Sequence, residues 1–465
     1  MSRYNEVAMW INHEIWRKAL RWNRSIMRAI LTLFMMVLVM GCHTLPLLGR
    51  GGQPPRETSS EQTAQAAASE SEAGSAAPPK TQSAPAAAGK VILLISFSWS
   101  NDPAEDIQKS FTYASRQAFP PFTMDVVRRG SALETAVACD SLMQQNDVRL
   151  VIYAGDEGAA AGVALLSAKH RVPVLKLTSD ARSFAELSPY LCEFLPSAKR
   201  QAEVLGDYAV RDLRLAQMMN LYPLDARGAA LAEGFRQGVE KAGGAVEVAK
   251  TYPPEAPNIR VELAAVFSDE NRLKQGKTPL KAALTPQERA EAFGDAKGGE
   301  VLFSDEEGDS LSEIPLQGEG FFLALSPDKV EPYSTQLSLL PKGVVLLGNS
   351  SWINRDVLAR QQMITEGMYI SSPLLPQPAE RDDLLSGYEG EKGSQANEWE
   401  LLGLDAGDFV GRLMAVPKGR QELIKAIPQV PQFSGRAIIV DFGGGRENRM
   451  VRLLHLTNGE LAPVR

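Results

Sequence analysis

The sequence predicts an α/β protein of two lobes, each a mostly parallel sheet flanked by helices, preceded by a leader and a structureless linker. Three observations carry this. From Lys90 onward, short unbroken apolar runs alternate with stretches of helical period, the pattern of strands covered by helices on both faces. The alternation runs through one series, breaks at Pro196 and begins again. Before Lys90 lie an apolar stretch too short to span a bilayer and a long run poor in aromatic and β-branched residues.

Residues 1–41 read as the leader. Arg24 and Arg28 precede an apolar run from Ala29 to Gly41, 13 residues long, against about 20 for a spanning helix. Gly41 before Cys42 completes the layout of a cleavable secretory signal, and Met27 is an alternative start. Residues 42–88 are rich in Ala, Ser, Pro, Gln and Glu, bury too little apolar surface to offset their ordering entropy, and read as a disordered tether. About 375 residues remain, too many for one core and suited to two.

In the first series, Val91–Phe97 is a buried strand and Pro103–Ala118 a helix with Ile107, Phe111, Ala114 and Ala118 on one face. Phe122–Val127, Arg149–Ala154 and Val172–Leu177 are further strands, with helices at Ser131–Gln145 and Gly158–Lys169 between them. The second series holds helices at Lys199–Asp212 and Gly228–Ala242, the latter stopped by Gly243-Gly244, and strands at Leu215–Tyr222 and Val246–Tyr252. Residues 258–318 interrupt the rhythm as a charged insertion, with Pro286–Phe293 its best helix. Strands return at Gly320–Leu325, Gly343–Leu347 and Met368–Ser372, and Trp399–Met414 is a helix. Arg436–Asp441 and Met450–Leu456 read as a closing hairpin around Gly443-Gly444-Gly445. The expected division is therefore 89–194 in the first lobe, 195–367 in the second with insertion 258–318, 368–428 back in the first, and 429–465 as a C-terminal hairpin of the second.

Composition narrows the function. The formal net charge is −7 and no basic stripe stands out beyond the leader, so no nucleic-acid partner is expected. Of three cysteines, Cys139 sits at core spacing with Ala136 and Met143 and reads as a small buried hydrophobe in preference to a disulfide partner of Cys192. The four histidines form no metal-ligand spacing, so no metal and no cofactor is expected. Gly308-Asp309-Ser310-Leu311-Ser312 matches the first block of an esterase family, but Arg452 stands where that family's aspartate would precede the late histidine, His455; the match reads as coincidence. No catalytic residue is assigned and no enzyme is expected.

The ending Val39-Met40-Gly41-Cys42 resembles the bacterial lipoprotein signal, which implies lipidation of Cys42; a short anchor or ordinary cleavage are the alternatives. With His43 following, the resemblance implies an outer-membrane anchor and a folded part in the periplasm. The folded part itself resembles a type 1 periplasmic binding protein. The likeness rests on Val172-Pro173-Val174-Leu175 leading to Thr178-Ser179-Asp180, on Asp225, Gly228 and Gly234, on Gly348-Asn349-Ser350-Ser351-Trp352 and on Gly403-Leu404-Asp405-Ala406. Within that superfamily it is most similar to the penicillin-binding protein activators, lipoproteins of the cell envelope, without the helical-repeat domain that better-studied members carry.

In such sheets ligands bind beyond the carboxyl ends of strands. The cleft candidates are Ser98, Trp99, Ser100, Thr178, Ser179 and Asp180 from the first lobe, and Tyr222, Arg227, Asn349 and Trp352 from the second. Capping and turn formation are the competing roles for the hydroxyl and carboxyl groups. Trp99 and Trp352 suit either stacking on a ligand or packing across a closed interface. Asp156 and Glu157 at a helix start would repel an anion. Ala159 and Arg227 stand where the resemblance leads one to expect serine and tyrosine. Either the ligand differs from an amino acid, a cation being one alternative, or no small ligand binds. Two functions follow: a tethered envelope interaction protein whose partner is a peptidoglycan synthase, or a lipoprotein delivering a small-molecule ligand to an ABC importer permease.

Overall fold

Strand β1 (Lys90–Ser96) shows why the chain folds in layers. Val91, Leu93 and Ile95 belong to one buried cluster and Ile92 and Leu94 to another, so both faces of the strand need a cover. The computed structural model describes residues 89–96, 102–119, 122–215, 217–274, 319–340, 343–415 and 419–464. The leader, Cys42, the tether, Ser98, Trp99, Ser100, most of the insertion with Pro286–Phe293, and the Ser310 block lie outside them.

The first lobe continues with α1 (Asp102–Gln117), β2 (Met124–Arg129), α2 (Ala132–Met143), β3 (Val148–Gly155), α3 (Glu157–His170), β4 (Val174–Lys176) and β5 (Leu191–Glu193). Its five strands are all parallel, in the order β2-β1-β3-β4-β5. Cys139 and Met143 of α2 and Val163 and Ala164 of α3 cover one face, and Ile107 and Phe111 of α1 the other. Cys139 and Cys192 are free and buried, on opposite faces of this sheet, so each acts as a small apolar side chain.

The second lobe comprises α4 (Ala198–Arg211), β6 (Gln217–Pro223), α5 (Ala226–Lys241), β7 (Ala245–Tyr252), α6 (Arg260–Lys274), β8 (Glu319–Leu323), α7 (Pro327–Ser334), β9 (Val345–Gly348), α8 (Arg355–Arg360), α9 (Gln362–Thr365) and β10 (Tyr369–Ser372). The chain returns to the first lobe through α10 (Asp383–Lys392), α11 (Glu398–Met414), α12 (Arg420–Ala426), β11 (Phe433–Ser434) and β12 (Ile439–Val440), then closes the second sheet with β13 (Arg452–Thr457) and β14 (Glu460–Pro463). That sheet runs β14-β13-β10-β9-β8-β6-β7, parallel from β10 to β7 and antiparallel at β13 and β14.

Two details differ from the sequence reading. Tyr369–Ser372 pairs with β9 and β13, so the return to the first lobe starts after Ser372 and not at residue 368. The closing hairpin is β13–β14, turning at Asn458-Gly459, whereas β12 pairs with β11. The triple-glycine turn therefore joins two different sheets. Gly443 and Gly444 adopt φ of 55° and 83°, a left-handed bend that starts the crossing to the second lobe. Asp441 N–H and Met450 N–H donate to Asn448 Oδ1 at 3.0 Å each, and Asn448 Nδ2 donates to Phe194 O at 3.0 Å, which ties this crossing to the one after β5.

Close helix packing explains part of the glycine pattern. A Cβ on Gly234 of α5 would lie 2.0 Å from Lys199 O of α4. On α11, Gly403, Gly407 and Gly411 form one stripe against Ser110, Ala114 and Ala118 next to α1. Asp405, on the same helix and fully buried, accepts from Arg436 N and Ala437 N at 2.8 Å each, from Ile438 N at 3.3 Å and from Arg436 Nη1 at 2.9 Å. The family-like Gly-Leu-Asp-Ala segment is thus a structural lock.

Candidate functional site

The carboxyl ends of both sheets face one cleft of about 380 Å³. The first lobe contributes Gly155, Asp156 and Glu157 after β3, Thr178, Ser179 and Asp180 after β4, Leu195 after β5, and Glu398 and Trp399 at the start of α11. The second contributes Arg227 at the start of α5, Pro327 after β8, Ser350, Ser351 and Ile353 after β9, and Ser372 after β10. All but Glu398 and Trp399, which follow a helix, lie where a strand hands over to a helix or crossing, the place where backbone groups are left for a ligand.

The wall after β4 is rigid. Thr178 Oγ1 donates to Gly155 O at 2.6 Å. Ser179 Oγ donates to Pro196 O at 2.7 Å and accepts from Gln201 Nε2 at 2.8 Å. Lys176, 1 % exposed, donates to Thr178 O at 2.5 Å and lies 3.0 Å from Asp180 Oδ2 and 3.2 Å from Glu193 Oε1. Burial pulls Lys176 down, but the Glu193 and Asp180 carboxylates outweigh it and keep the ammonium above its ordinary value. Burial pushes Asp180 up to about 6 against the pull of Lys176.

The helix starts carry the remaining charges. Asp156 occupies the N-cap position of α3 but makes no capping bond to that helix. Glu157 Oε2 accepts from Ala181 N at 3.2 Å, across to the β4 loop. Arg227 follows Asp225, whose Oδ1 caps α5 by accepting from Gly228 N at 2.6 Å. Its Nη1 reaches over the cleft to Ser179 O at 3.3 Å. Burial lowers the Arg227 guanidinium, while Asp180, Glu157 and Asp225 oppose that. A second bridge between the lobes pairs Glu233 with Arg182, and within the second lobe Glu233 also meets Lys199 at 2.7 Å.

Of the candidates named from sequence, Thr178, Ser179, Asp180 and Arg227 meet at the cleft. Three others do not. Trp352 is fully buried in the second core, its Nε1–H donating to Leu323 O at 3.0 Å, so neither stacking nor interface packing applies. Asn349 is a clamp between strand ends: it accepts from Leu325 N at 3.0 Å and donates to Leu325 O at 2.9 Å. Its neighbours Ser350 and Ser351 line the cleft instead. Tyr222 packs half-buried with the α4–α5 layer, because alternation along β6 turns it to that face. Sequence reasoning missed Glu398 and Trp399. They reach the cleft only because α11 returns to the first lobe; the one local hint was an acidic-aromatic pair directly after the helix cap Asn397, whose Oδ1 accepts from Trp399 N and Glu400 N at 3.0 Å each. Among the described residues no group of His, Cys, Asp or Glu is arranged to hold a metal.

Comparison with known proteins agrees with this architecture. Residues 129–267 match a family model described as periplasmic binding protein. No curated protein matches the sequence. Among solved structures, a protein described as a branched-chain amino-acid ABC transporter from Rhodospirillum rubrum is 14 % identical, with a TM-score of 0.58 over 81 % of this chain and 100 % of that one. An ABC transporter substrate-binding protein from Desulfitobacterium hafniense in complex with Leu is 15 % identical, TM-score 0.55, over 81 % and 100 %. A solute-binding protein from R. palustris in complex with benzoate is 15 % identical, TM-score 0.54, over 81 % and 95 %. The chain thus has the two-lobed fold of the type 1 periplasmic binding proteins.

Proposed function

We propose that this protein is a non-enzymatic solute-binding protein of the cell envelope, which takes a small molecule between its lobes for an ABC importer permease. The observation that carries this reading is the cleft of about 380 Å³, lined from both lobes at the carboxyl ends of their strands. Its size suits one small solute, and the inter-lobe contact of Arg227 lies in its wall, where closure would register occupancy. On the leader-like residues 1–41 and tether-like residues 42–88, a lipid on Cys42 would hold the domain at the outer membrane, facing the periplasm. Incorporation of radiolabelled palmitate, lost in Cys42→Ala, tests the anchor.

A thermal-shift screen of amino acids, amides, amines, aromatic acids and muropeptide fragments tests the binding. A solute at a hundred times its dissociation constant adds about 2.7 kcal/mol of apparent stability. Silence across the panel would overturn the solute-binding reading and leave the envelope docking role akin to the penicillin-binding protein activators, with a peptidoglycan synthase as partner.

A further inference from the structure

We propose that the cleft selects a cationic solute, a protonated amine carried on an apolar or aromatic body, with Glu398 as its counter-charge and Trp399 as the wall beside it. This rests on the solute-binding reading above and narrows it.

The geometry points this way because the cleft's charges are unequally committed. Among the described residues four carboxylates line it, from Asp156, Glu157, Asp180 and Glu398, against one guanidinium, that of Arg227. That guanidinium is engaged with Ser179 O and shares its field with Asp180, Glu157 and Asp225. Asp180 has Lys176 behind it and Glu157 has Ala181 N. Asp180, 3 % exposed, holds its Oδ2 3.0 Å from the Lys176 ammonium, so its charge is already matched. Glu398 has neither a hydrogen bond nor an ion pair among them. Burial alone pushes its carboxyl up, with no charged neighbour contributing. Holding a desolvated carboxylate without a partner costs free energy that a bound cation would recover. Trp399 follows Glu398 at the same helix start and is half-buried against the first-lobe core, with part of its surface on the cleft. An indole beside a carboxylate gives an ammonium an aromatic face as well as a counter-ion. An anion has no such welcome: the one cation is taken and the α3 start presents Asp156 and Glu157.

The test uses the full chain with phenethylamine, its neutral analogue 2-phenylethanol, the anion phenylacetate, and leucine, read by calorimetry and thermal shift at pH 7. The amine should bind at least tenfold more tightly than the alcohol, and phenylacetate should not bind. Glu398→Gln should weaken the amine at least tenfold, leave the alcohol unchanged, and raise the melting temperature of the empty protein, because a half-buried charge without a partner among the described residues is gone. Trp399→Leu should weaken amine and alcohol together. Tighter binding of phenylacetate or leucine than of phenethylamine would overturn the cation inference and leave solute binding standing. Silence of all four, extended to putrescine and choline, would overturn the cation inference; silence across the wider solute panel as well would overturn both. Retention of amine affinity in a folded Glu398→Gln protein would remove Glu398 from the role.

Discussion

Replacing Asp405 with alanine should destabilise the first lobe by about 4–5 kcal/mol. The carboxylate is fully buried and receives three backbone N–H groups, from Arg436, Ala437 and Ile438, and the Arg436 guanidinium. Each buried donor left without an acceptor costs about 1–3 kcal/mol, and breaking a buried ion pair costs about 3–5 kcal/mol. These overlap, because Arg436 keeps a second carboxylate: its Nε still donates to Asp382 Oδ1 at 3.0 Å. A small cavity adds to the loss, and water entering it would return part of the hydrogen bonding. The resulting 4–5 kcal/mol is a large share of a typical stability of about 5–15 kcal/mol. The damage spreads toward the lobe junction, since Ala437 O and Arg436 O accept from Leu375 N and Ala379 N at 2.8 Å on the crossing after β10. Urea unfolding followed by fluorescence is the assay. With a slope near 3 kcal/mol/M, the first-lobe midpoint should fall by more than about 1 M. Asp408→Ala is the control. Three residues along the same helix, half-buried Asp408 makes a paired contact to Arg412 at 3.0 Å, worth about 0.5 kcal/mol, and only approaches Arg436 Nη1 at 4.0 Å. Equal midpoints for Asp405→Ala and wild type would refute the lock.

Three further outcomes follow from the same contacts. Asp180 is raised by burial from its ordinary 3.8 to about 6, so the native state holds its proton more tightly; wild type should lose about 3 kcal/mol from this group as pH rises from about 4 to about 6. The stability of Asp180→Asn relative to wild type should therefore rise across that window, and a difference independent of pH in paired urea titrations would contradict it. Gly407→Ala, whose new Cβ would lie 2.5 Å from Ala114 Cβ, should cost about 1–3 kcal/mol, while Gly390→Ala on α10, with nothing within 4 Å, should gain up to about 1 kcal/mol in the same unfolding assay. The Cys139 and Cys192 thiols are pushed up to about 12 by burial, so in a Cys42→Ala background neither should react with iodoacetamide at pH 8 until denaturant is added; mass spectrometry of the native protein showing either alkylated would count against the burial.

Much of the fold was legible because its causes are local. Val91–Ser96 and Leu150–Gly155 are unbroken apolar or small runs, the pattern of strands covered on both faces. Ser131, Ser197 and Asp225 begin helices by accepting from the third amide onward, a signal contained within four residues. The hairpin differs from the sequence reading because a run of glycines marks a turn but not its partners: β12 pairs back with β11 and β13 forward with β14 in short hairpins, while β13 joins β10 through distant packing. The site was legible at the loop after β4 in the first lobe and at Arg227 in the second. Trp352 looks like a ligand platform from its loop position, yet a large apolar ring next to a strand end gains most by entering the nearest core.

By itself the sequence determined the periodicities, caps and breaks that make two α/β series, and the leader-like and tether-like composition before them. Which polar groups are consumed by the scaffold and which remain for a ligand was decided only by the tertiary structure. Asn349 and Asp405 spend their hydrogen bonds on backbone far away in sequence, while Glu398, brought to the cleft by a helix that returns to the first lobe, has no partner among the described residues. Satisfaction of a buried group is a property of neighbours in space, and sequence order does not encode it.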